Sequence, residues 1–541
     1  MSVKKRLKGL NLEIHFVWMS LLFLFFLVVG EKFINYGYFY QRTSQNGLYY
    51  VLKYTLSFVI IYTIVYGMDR LLTYLFSFEY NIKISTKKLY FSMVIILLLL
   101  WLPYFIVLFP GSAWYDCGGK ISMFFGETPY YGTHPVFQTF LMGISVKCGL
   151  VIGNANYGVA IYCLLQIIIA AAVISAGVVP YYLRSKKIAV LILSIVFWGI
   201  NPMVPLHLLA MGVDSNWSIV FLGICILTNE LRQNGKLIKK RWFMPLFFLL
   251  LILFCLLRNA GIFFVAVFAL LMLSYSRTKI KEIFVTTIAS IVVVCLFNTA
   301  TTAMLDVDNS YNNRPNYTIP VIQMARYVNE YGDEVSDSEI KIMNKVFDYD
   351  TFISEYRPQI VDYVIGTYNL NATKQEKQDF FKLWLKYFVK HPIVYLDAVG
   401  AKSIGYYNPF DIGEVKPFVI IGLGHISERV KKDTGIALYN NFSLEPVKSF
   451  VQKLSQIPIV RMITRCGFWM WVLIFCMVGG VIKKRQKRMF VPMLIFALGL
   501  IAMPANAYFR YILPIVFVTP YLLFYTYVET FKISEGNFNA N

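Results

Sequence analysis

Apolar runs of about 20 residues recur along this 541-residue chain, and no other feature limits its fold so strongly. Wound as a helix, such a run matches the ~30 Å hydrocarbon core of a bilayer. In lipid every backbone N–H and C=O must be bonded internally, which leaves helices or closed barrels. The runs lack the period-two alternation of barrel strands, so they predict an all-α polytopic membrane protein. The first run, Leu12 to Gly30, follows the basic start Lys4, Lys5, Arg6 and Lys8. No small-residue cleavage pattern comes after it, so it reads as a retained span entered from the cytoplasm.

About twelve transmembrane helices are expected, at roughly 12–30, 48–66, 89–109, 158–180, 188–205, 214–230, 242–257, 260–276, 283–300, 467–482, 490–506 and 511–529. A further run between His134 and Gly153 decides the topology. If it crossed, Arg184, Lys186 and Lys187 would fall outside, as would the Lys236 to Arg241 and Lys483 to Arg488 clusters. That contradicts the excess of Lys and Arg in cytoplasmic loops. Read as an interfacial helix on the outer face, which suits its Gln138 and Lys147, it leaves every cluster inside. The expected product is a multi-pass cell-membrane protein with both termini cytoplasmic. A nine-span module (1–300) carries a long outer loop at 110–157. An extracytoplasmic domain (301–466) follows, then a three-span module (467–541) with a short cytoplasmic tail.

The 301–466 segment holds 19 Lys or Arg and 19 Asp or Glu, so the net charge of +21 belongs to the rest of the chain. Those basic residues sit at helix ends, where they orient the protein. No folded basic surface is left for nucleic acid, and the bilayer is the partner that the composition implies. Within 301–466, Ser336 with Glu339 and Thr373 with Glu376 have capping-box spacing ahead of helical periodicity, so this domain reads as mainly helical. Its Tyr311, Tyr317, Tyr395, Tyr406 and Tyr407 fit interfacial anchoring or carbohydrate stacking. Eight scattered cysteines show no metal-ligand spacing. Only Cys117, Cys148 and Cys466 are expected to face the exterior, and their pairing is left open.

Ionisable residues are scarce in the middles of the expected spans, which argues against an ion-coupled carrier. They gather at the outer ends instead: Asp116 and His134 in the 110–157 loop, His207 and Asp214 further along, then Arg258 with Asn259, and late in the chain Arg510. Such convergence marks a site beside the membrane surface, where a carboxylate can act on a lipid-borne substrate. Each residue also has a plainer reading. Asp116 before Gly118-Gly119 fits a turn or cap, and His134 before Pro135 fits a helix start. Asp214 fits an N-cap, and Arg258 and Arg510 can snorkel to headgroups. Lys120, Glu127 and His207 are loop residues with no motif around them.

Several short motifs share an order with one family. Phe109-Pro110-Gly111 with Asp116 is followed by His134-Pro135; GVDSN surrounds Asp214; RNAG begins at Arg258; YFRYILPIVF holds Arg510, Tyr511 and Pro514. Over roughly 89–300 and 490–525 this order resembles the GT-C superfamily of polytopic membrane glycosyltransferases, which includes protein O-mannosyltransferases and aminoarabinose transferases. It is nearest to uncharacterised Gram-positive members. Tyr115-Asp116-Cys117 stands where paired acidic residues are usual. The resemblance implies a GT-C-like fold and an inverting transferase of the cell envelope. Its donor would be a polyprenyl-phosphate-linked sugar and its acceptor an outer-face wall polymer, glycolipid or protein. Asp116 would be the general base. His134, Asp214, Arg258, Asn259, Arg510 and Tyr511 would hold substrate or phosphate, with a divalent cation (Mg or Mn) as an optional cofactor. The competing readings are a flippase for lipid-linked sugars and a ligase- or polymerase-type enzyme of envelope polysaccharide.

Overall fold

The computed structural model describes residues 3–39, 47–275, 279–408 and 421–528. Helices α1 (Val3–Tyr36), α2 (Gly47–Leu75) and α3 (Thr86–Leu108) come first. Ser85 caps α3 by accepting from the Lys88 N–H at 3.3 Å. A two-residue strand β1 (Ser112–Ala113) enters α4 (Tyr115–Phe124), and α5 (Val136–Val151) and α6 (Ala155–Ser185) follow. Then come α7 (Ile188–Ser194), prolonged by a π-helical stretch to Ile200, α8 (Met203–Leu208), β2 (Ala210–Met211) and α9 (Val213–Gln233). Helices α10 (Phe243–Leu257), α11 (Ile262–Tyr275) and α12 (Ile280–Met304) complete this half.

The insert contributes α13 (Thr318–Tyr331), α14 (Asp337–Val346), α15 (Tyr349–Ser354), α16 (Asp362–Ile365), α17 (Lys374–Lys390) and α18 (Pro392–Ser403). After the undescribed 409–420 it continues with α19 (Gly424–Thr434), α20 (Glu445–Leu454) and α21 (Pro458–Ile463). The chain ends with α22 (Cys466–Ile482), α23 (Val491–Gly499) and α24 (Phe509–Tyr527). Six of the described helices are long and apolar enough to cross a bilayer: α1 over Ile14–Phe33, α2, α3, α6, α12 and α24. The chain is a helical membrane protein.

Helices 14 and 17 start as their sequences require. The Ser336 N–H donates to Glu339 Oε2 at 2.9 Å, and the Thr373 N–H donates to Glu376 Oε2 at 2.8 Å while Thr373 Oγ1 accepts from the Glu376 N–H. Two separate apolar cores result. One runs through the long helices and takes in Tyr406, Leu423, Ile426, Val430 and Leu438 of the insert. The other lies within 317–395. Tyr317, Tyr395 and Tyr406 are buried core residues rather than surface anchors, and Tyr407 stacks on Phe26 with centroids 5.2 Å apart. The side chain of Tyr311 lies outside the described residues.

Two apolar runs take forms of their own. The 134–153 run, expected as an interfacial helix, is a 16-residue helix, α5, folded back on α6, and its Gln138 is buried rather than at a surface. Gln138 Nε2 donates to the Tyr162 hydroxyl at 3.1 Å, and the turn closes so tightly that a Cβ on Gly158 would lie 2.0 Å from the Ser145 carbonyl oxygen. The expected 490–506 span leaves the helix after Ala502, because Pro504 cannot continue it and the insert captures the freed backbone. Lys402 Nζ donates to the Ile501 and Met503 carbonyls at 2.7 Å each, and the Tyr406 hydroxyl to the Ala505 carbonyl at 2.7 Å. The Val361 N–H donates to the Pro504 carbonyl at 3.0 Å and the Asn506 N–H to the Gln359 carbonyl at 2.9 Å. Gly158→Ala is expected to lower stability by about 2 kcal/mol by prising α5 from α6. Thermal unfolding in detergent measures this, and an unchanged melting temperature would show that the helices part freely.

Candidate functional site

The two short strands pair in parallel, Ser112 with Ala210 and Ala113 with Met211. The Ser112 N–H donates to the Leu209 carbonyl at 2.8 Å and the Trp114 N–H to that of Met211 at 3.1 Å. One residue after each strand a helix begins, N-capped by Trp114 and by Gly212. Asp116 and Asp214 therefore occupy equivalent first-turn positions, where the helix dipole favours a carboxylate. Gly212 makes the approach possible: a Cβ there would meet the Trp114 ring at 2.4 Å. Polar groups buried on α6 hold β2 in place. Gln166 Nε2 donates to the Leu208 carbonyl at 2.7 Å and the Tyr162 hydroxyl to that of Gly212 at 3.2 Å. Cys117 Sγ does the same for Met211 at 3.1 Å. Burial pushes that thiol up to about 12, so it stays protonated and serves as a weak donor. Cys117, Cys148 and Cys466 are all free thiols.

Arg510, in the first turn of α24, lies between the two carboxylates. Its Nη1 donates to Asp116 Oδ2 at 3.1 Å, and its Nε is 4.0 Å from Asp214 Oδ2. Its Nη2 donates to the Tyr511 hydroxyl at 3.0 Å, and the guanidinium stands 5.3 Å from the Trp114 ring centre. Arg258, which ends α10 in an extended conformation, pairs with Asp214 Oδ1 and lies over the Trp217 and Tyr511 rings at 5.4 and 5.6 Å. Neither arginine snorkels: their side chains are only 14% and 21% exposed. Asp214 is not an N-cap but an ion-pair partner. Asp116 lies deep in the molecule yet keeps 39% of its side chain open, so it lines a recess that water reaches. Burial raises the Asp116 carboxyl, but the charges of Arg510 and Lys120 outweigh this and hold it well below the usual carboxylate range.

Gly118 and Gly119 are not turn residues. They lie inside α4 and admit α19, with a Gly118 Cβ site 3.4 Å from Ile426 and a Gly119 Cβ site 3.2 Å from Arg429. His134 is half-buried at the mouth of α5, where burial and the nearby Lys120 bring its imidazole down to about 4, so it is neutral. Asn259 is exposed and donates to the Gly132 carbonyl at 3.3 Å, tethering the segment before His134. Glu127 is exposed away from the cluster. His207, 1% exposed, is packed between Trp114 and Phe509; its Nδ1 donates to the Met203 carbonyl at 2.7 Å.

Two contributors lie in no sequence motif. Lys120 is 2% exposed, one helical turn from Asp116. Asp362, which opens α16, sits within electrostatic reach of Arg314, Arg510 and Asp116, and burial raises its carboxyl. The helical spacing from Asp116 to Lys120 was readable, but the packing of the insert against residues 504–506 was not. A divalent cation does not fit here. Both carboxylates face guanidinium groups, and no three His, Cys, Asp or Glu side chains converge among the described residues.

A sequence model for a family of unknown function, DUF6020, matches residues 126–536. The chain belongs to that family. The DUF6020 match takes in His134, Asp214, Arg258, Asn259, Asp362, Arg510 and Tyr511, and begins ten residues after Asp116. No curated protein and no solved structure matches the chain.

Removing Arg510 leaves two carboxylates short of a partner. Arg510→Met is expected to cost about 3 kcal/mol of stability, and adding Asp116→Asn to restore about 1 kcal/mol of it. Denaturant unfolding of the single and double variants checks this, and strict additivity would deny the pairing. His207 sets a pH dependence. Burial brings its imidazole from 6.5 down to about 4. The unfolded chain therefore takes up the proton first, and stability falls as pH drops between those values, by up to about 3 kcal/mol. His207→Asn retains a donor and should flatten the slope of melting temperature between pH 7 and 4.5; an unaltered slope would place the proton uptake elsewhere.

Proposed function

We propose that the chain is a membrane glycosyltransferase of GT-C type, moving a sugar from a polyprenyl-phosphate carrier to an acceptor hydroxyl at the outer face of the cell membrane. The observation that carries this reading is the recess itself, in which an ionised, water-reached Asp116 stands against Arg510 beside a lipid-sized cleft. That cleft, about 1780 Å³, opens at Tyr115 between Tyr104, Val107 and Leu206 on one side and His425, Phe450 and Val451 on the other. Its far wall includes α20 and α21, whose Phe450 and Ile459 are exposed apolar side chains. Helices of that kind suit the membrane interface, which is where the phosphate end of an isoprenoid lies.

The acceptor hydroxyl gives its proton to a carboxylate oxygen of Asp116 as its own oxygen bonds the anomeric carbon. The bond from that carbon to the phosphate oxygen breaks, and the electron pair leaves with the polyprenyl phosphate, inverting the centre. Positive charge fixed beside the leaving group stabilises it. In the resting protein Arg510 and Lys120 keep Asp116 weakly basic. An anionic donor that shares those cations raises its proton affinity, so the base strengthens when substrate is bound.

The GT-C resemblance and the scarcity of charge inside the long helices favour this reading over a flippase. Sealed right-side-out vesicles given a prenyl-phosphate sugar and wall acceptors are expected to show transfer. Asp116→Asn should slow it at least ~100-fold with donor binding retained. Equal turnover by the variant would remove Asp116 from the reaction, and carriage of intact donor across the vesicle membrane would mark a transporter.

A further inference from the structure

A lysine at 2% exposure normally finds a carboxylate or a set of carbonyls, because burying an ammonium without compensation is costly. Lys402 shows the usual solution in this chain, with 1% exposure and two carbonyls at 2.7 Å. Lys120 does not. Among the described residues its ammonium makes no hydrogen bond and no ion pair. It lies on the same face of α4 as Asp116, four residues on, close enough to act electrostatically on both Asp116 and His134.

The neighbouring charges show what is left over. Arg258 is matched by Asp214, and Arg510 by Asp116, with Asp214 next nearest. At the rim Arg429 faces Asp433 at 3.6 Å, and Arg314 is the cation that acts most strongly on Asp362. Among the described residues, the buried cation of the recess that is left without a hydrogen bond or ion pair is the ammonium of Lys120. Asp116 pairs with Arg510 through Oδ2 and forms no ion pair with Lys120.

We infer that Lys120 is the anion-binding group of this recess and that its counter-charge is a phosphate monoester or diester of the substrate. This rests on the reading of the site as one for a phosphate-linked donor and assigns the residue that holds the phosphate. The two arginines are then structural in the resting state, and the phosphate is recruited by the buried cation left unmatched among the described residues. An ammonium on a four-carbon stem suits this role, because it binds phosphate as a point charge and needs no fixed fork.

The position makes an unusual demand on a substitution. A lysine kept for structure destabilises the protein when removed. A lysine held without a partner stabilises the ligand-free protein when replaced by an apolar side chain of similar length. Lys120→Met and Lys120→Arg of the full chain in detergent provide the test, with farnesyl phosphate, farnesol and inorganic phosphate as probes. Binding is followed by tryptophan fluorescence and by thermal shift. The expected result is that wild type binds farnesyl phosphate but not farnesol. Lys120→Met should bind at least tenfold more weakly yet melt higher without ligand, and Lys120→Arg should bind at an intermediate level. Undiminished binding by Lys120→Met, with wild type still preferring the phosphate, overturns the assignment of Lys120 and leaves the donor reading standing. Binding of inorganic phosphate that depends on Lys120, without any gain from the farnesyl chain, keeps Lys120 as the anion site and overturns the lipid source. Binding of no phosphate probe by wild type overturns both. A lower melting temperature for Lys120→Met marks a structural lysine and also overturns the inference.

Discussion

The guanidinium of Arg510 is the charge on which the rest of the arrangement depends. It sits at the first turn of a buried helix, 14% exposed, at a depth where an unmatched cation costs several kcal/mol. Two carboxylates and a tyrosine hydroxyl match it, and they come from segments nearly 400 residues apart in sequence. The parallel pairing of Ser112–Ala113 with Ala210–Met211 brings Asp116 and Asp214 to the same height. The strand pair is too short to stabilise anything by itself. Its role is register: it fixes two helix starts side by side, each with an aspartate in its first turn.

Delivering the arginine is the task of the insert. Residues 501–506 leave a helix and pass through a set of donors and acceptors from Gln359, Val361, Lys402, Gly405 and Tyr406 before α24 begins. In lipid such irregular backbone would be prohibitive, and it persists because the insert bonds its polar groups. The insert thus has two parts with different physics. Residues 317–395 hold a core of their own and helices fixed by local caps, while Tyr406 and 423–438 belong to the core of the long helices.

The division between local and distant forces explains what was legible in the sequence. The apolar runs and the capping boxes at Ser336 and Thr373 rest on composition or on spacings of a few residues and were readable, while Asp116, His134, Asp214, Arg258 and Arg510 were expected together only from their places at the ends of apolar runs. Which carboxylate meets which arginine was not, because the pairing runs through a two-residue strand with no periodicity to announce it. The tyrosines misled for a related reason: an aromatic suits a core as well as an interface, and only packing separates the two. Glycines 118 and 119 looked like a turn because their helical use depends on α19, some 300 residues away. Asp362 joined the site because Gln359, Ile360 and Val361 before it bond to residues 504–506, a contact that no local pattern encodes.

The same surface that completes the recess also walls the cleft. Asn440 donates to the carbonyls of Leu108 and Gly111 at 2.8 Å each, and Gly422 exchanges hydrogen bonds with Ser112 and Ala113, so the insert grips the turn that leads into α4. On the next helical faces α19 packs against Gly118 and Gly119, while Asp433 accepts from the Ser122 hydroxyl at 2.8 Å. Asp116 therefore lies on a helix held from both sides by one folded segment, and Tyr115 beside it faces the cleft and rests against His425 of that segment at 4.8 Å. A shift of the insert would move the cleft wall and the carboxylate together. The occupancy of the cleft and the position of charge at Asp116 are thus linked mechanically through the insert.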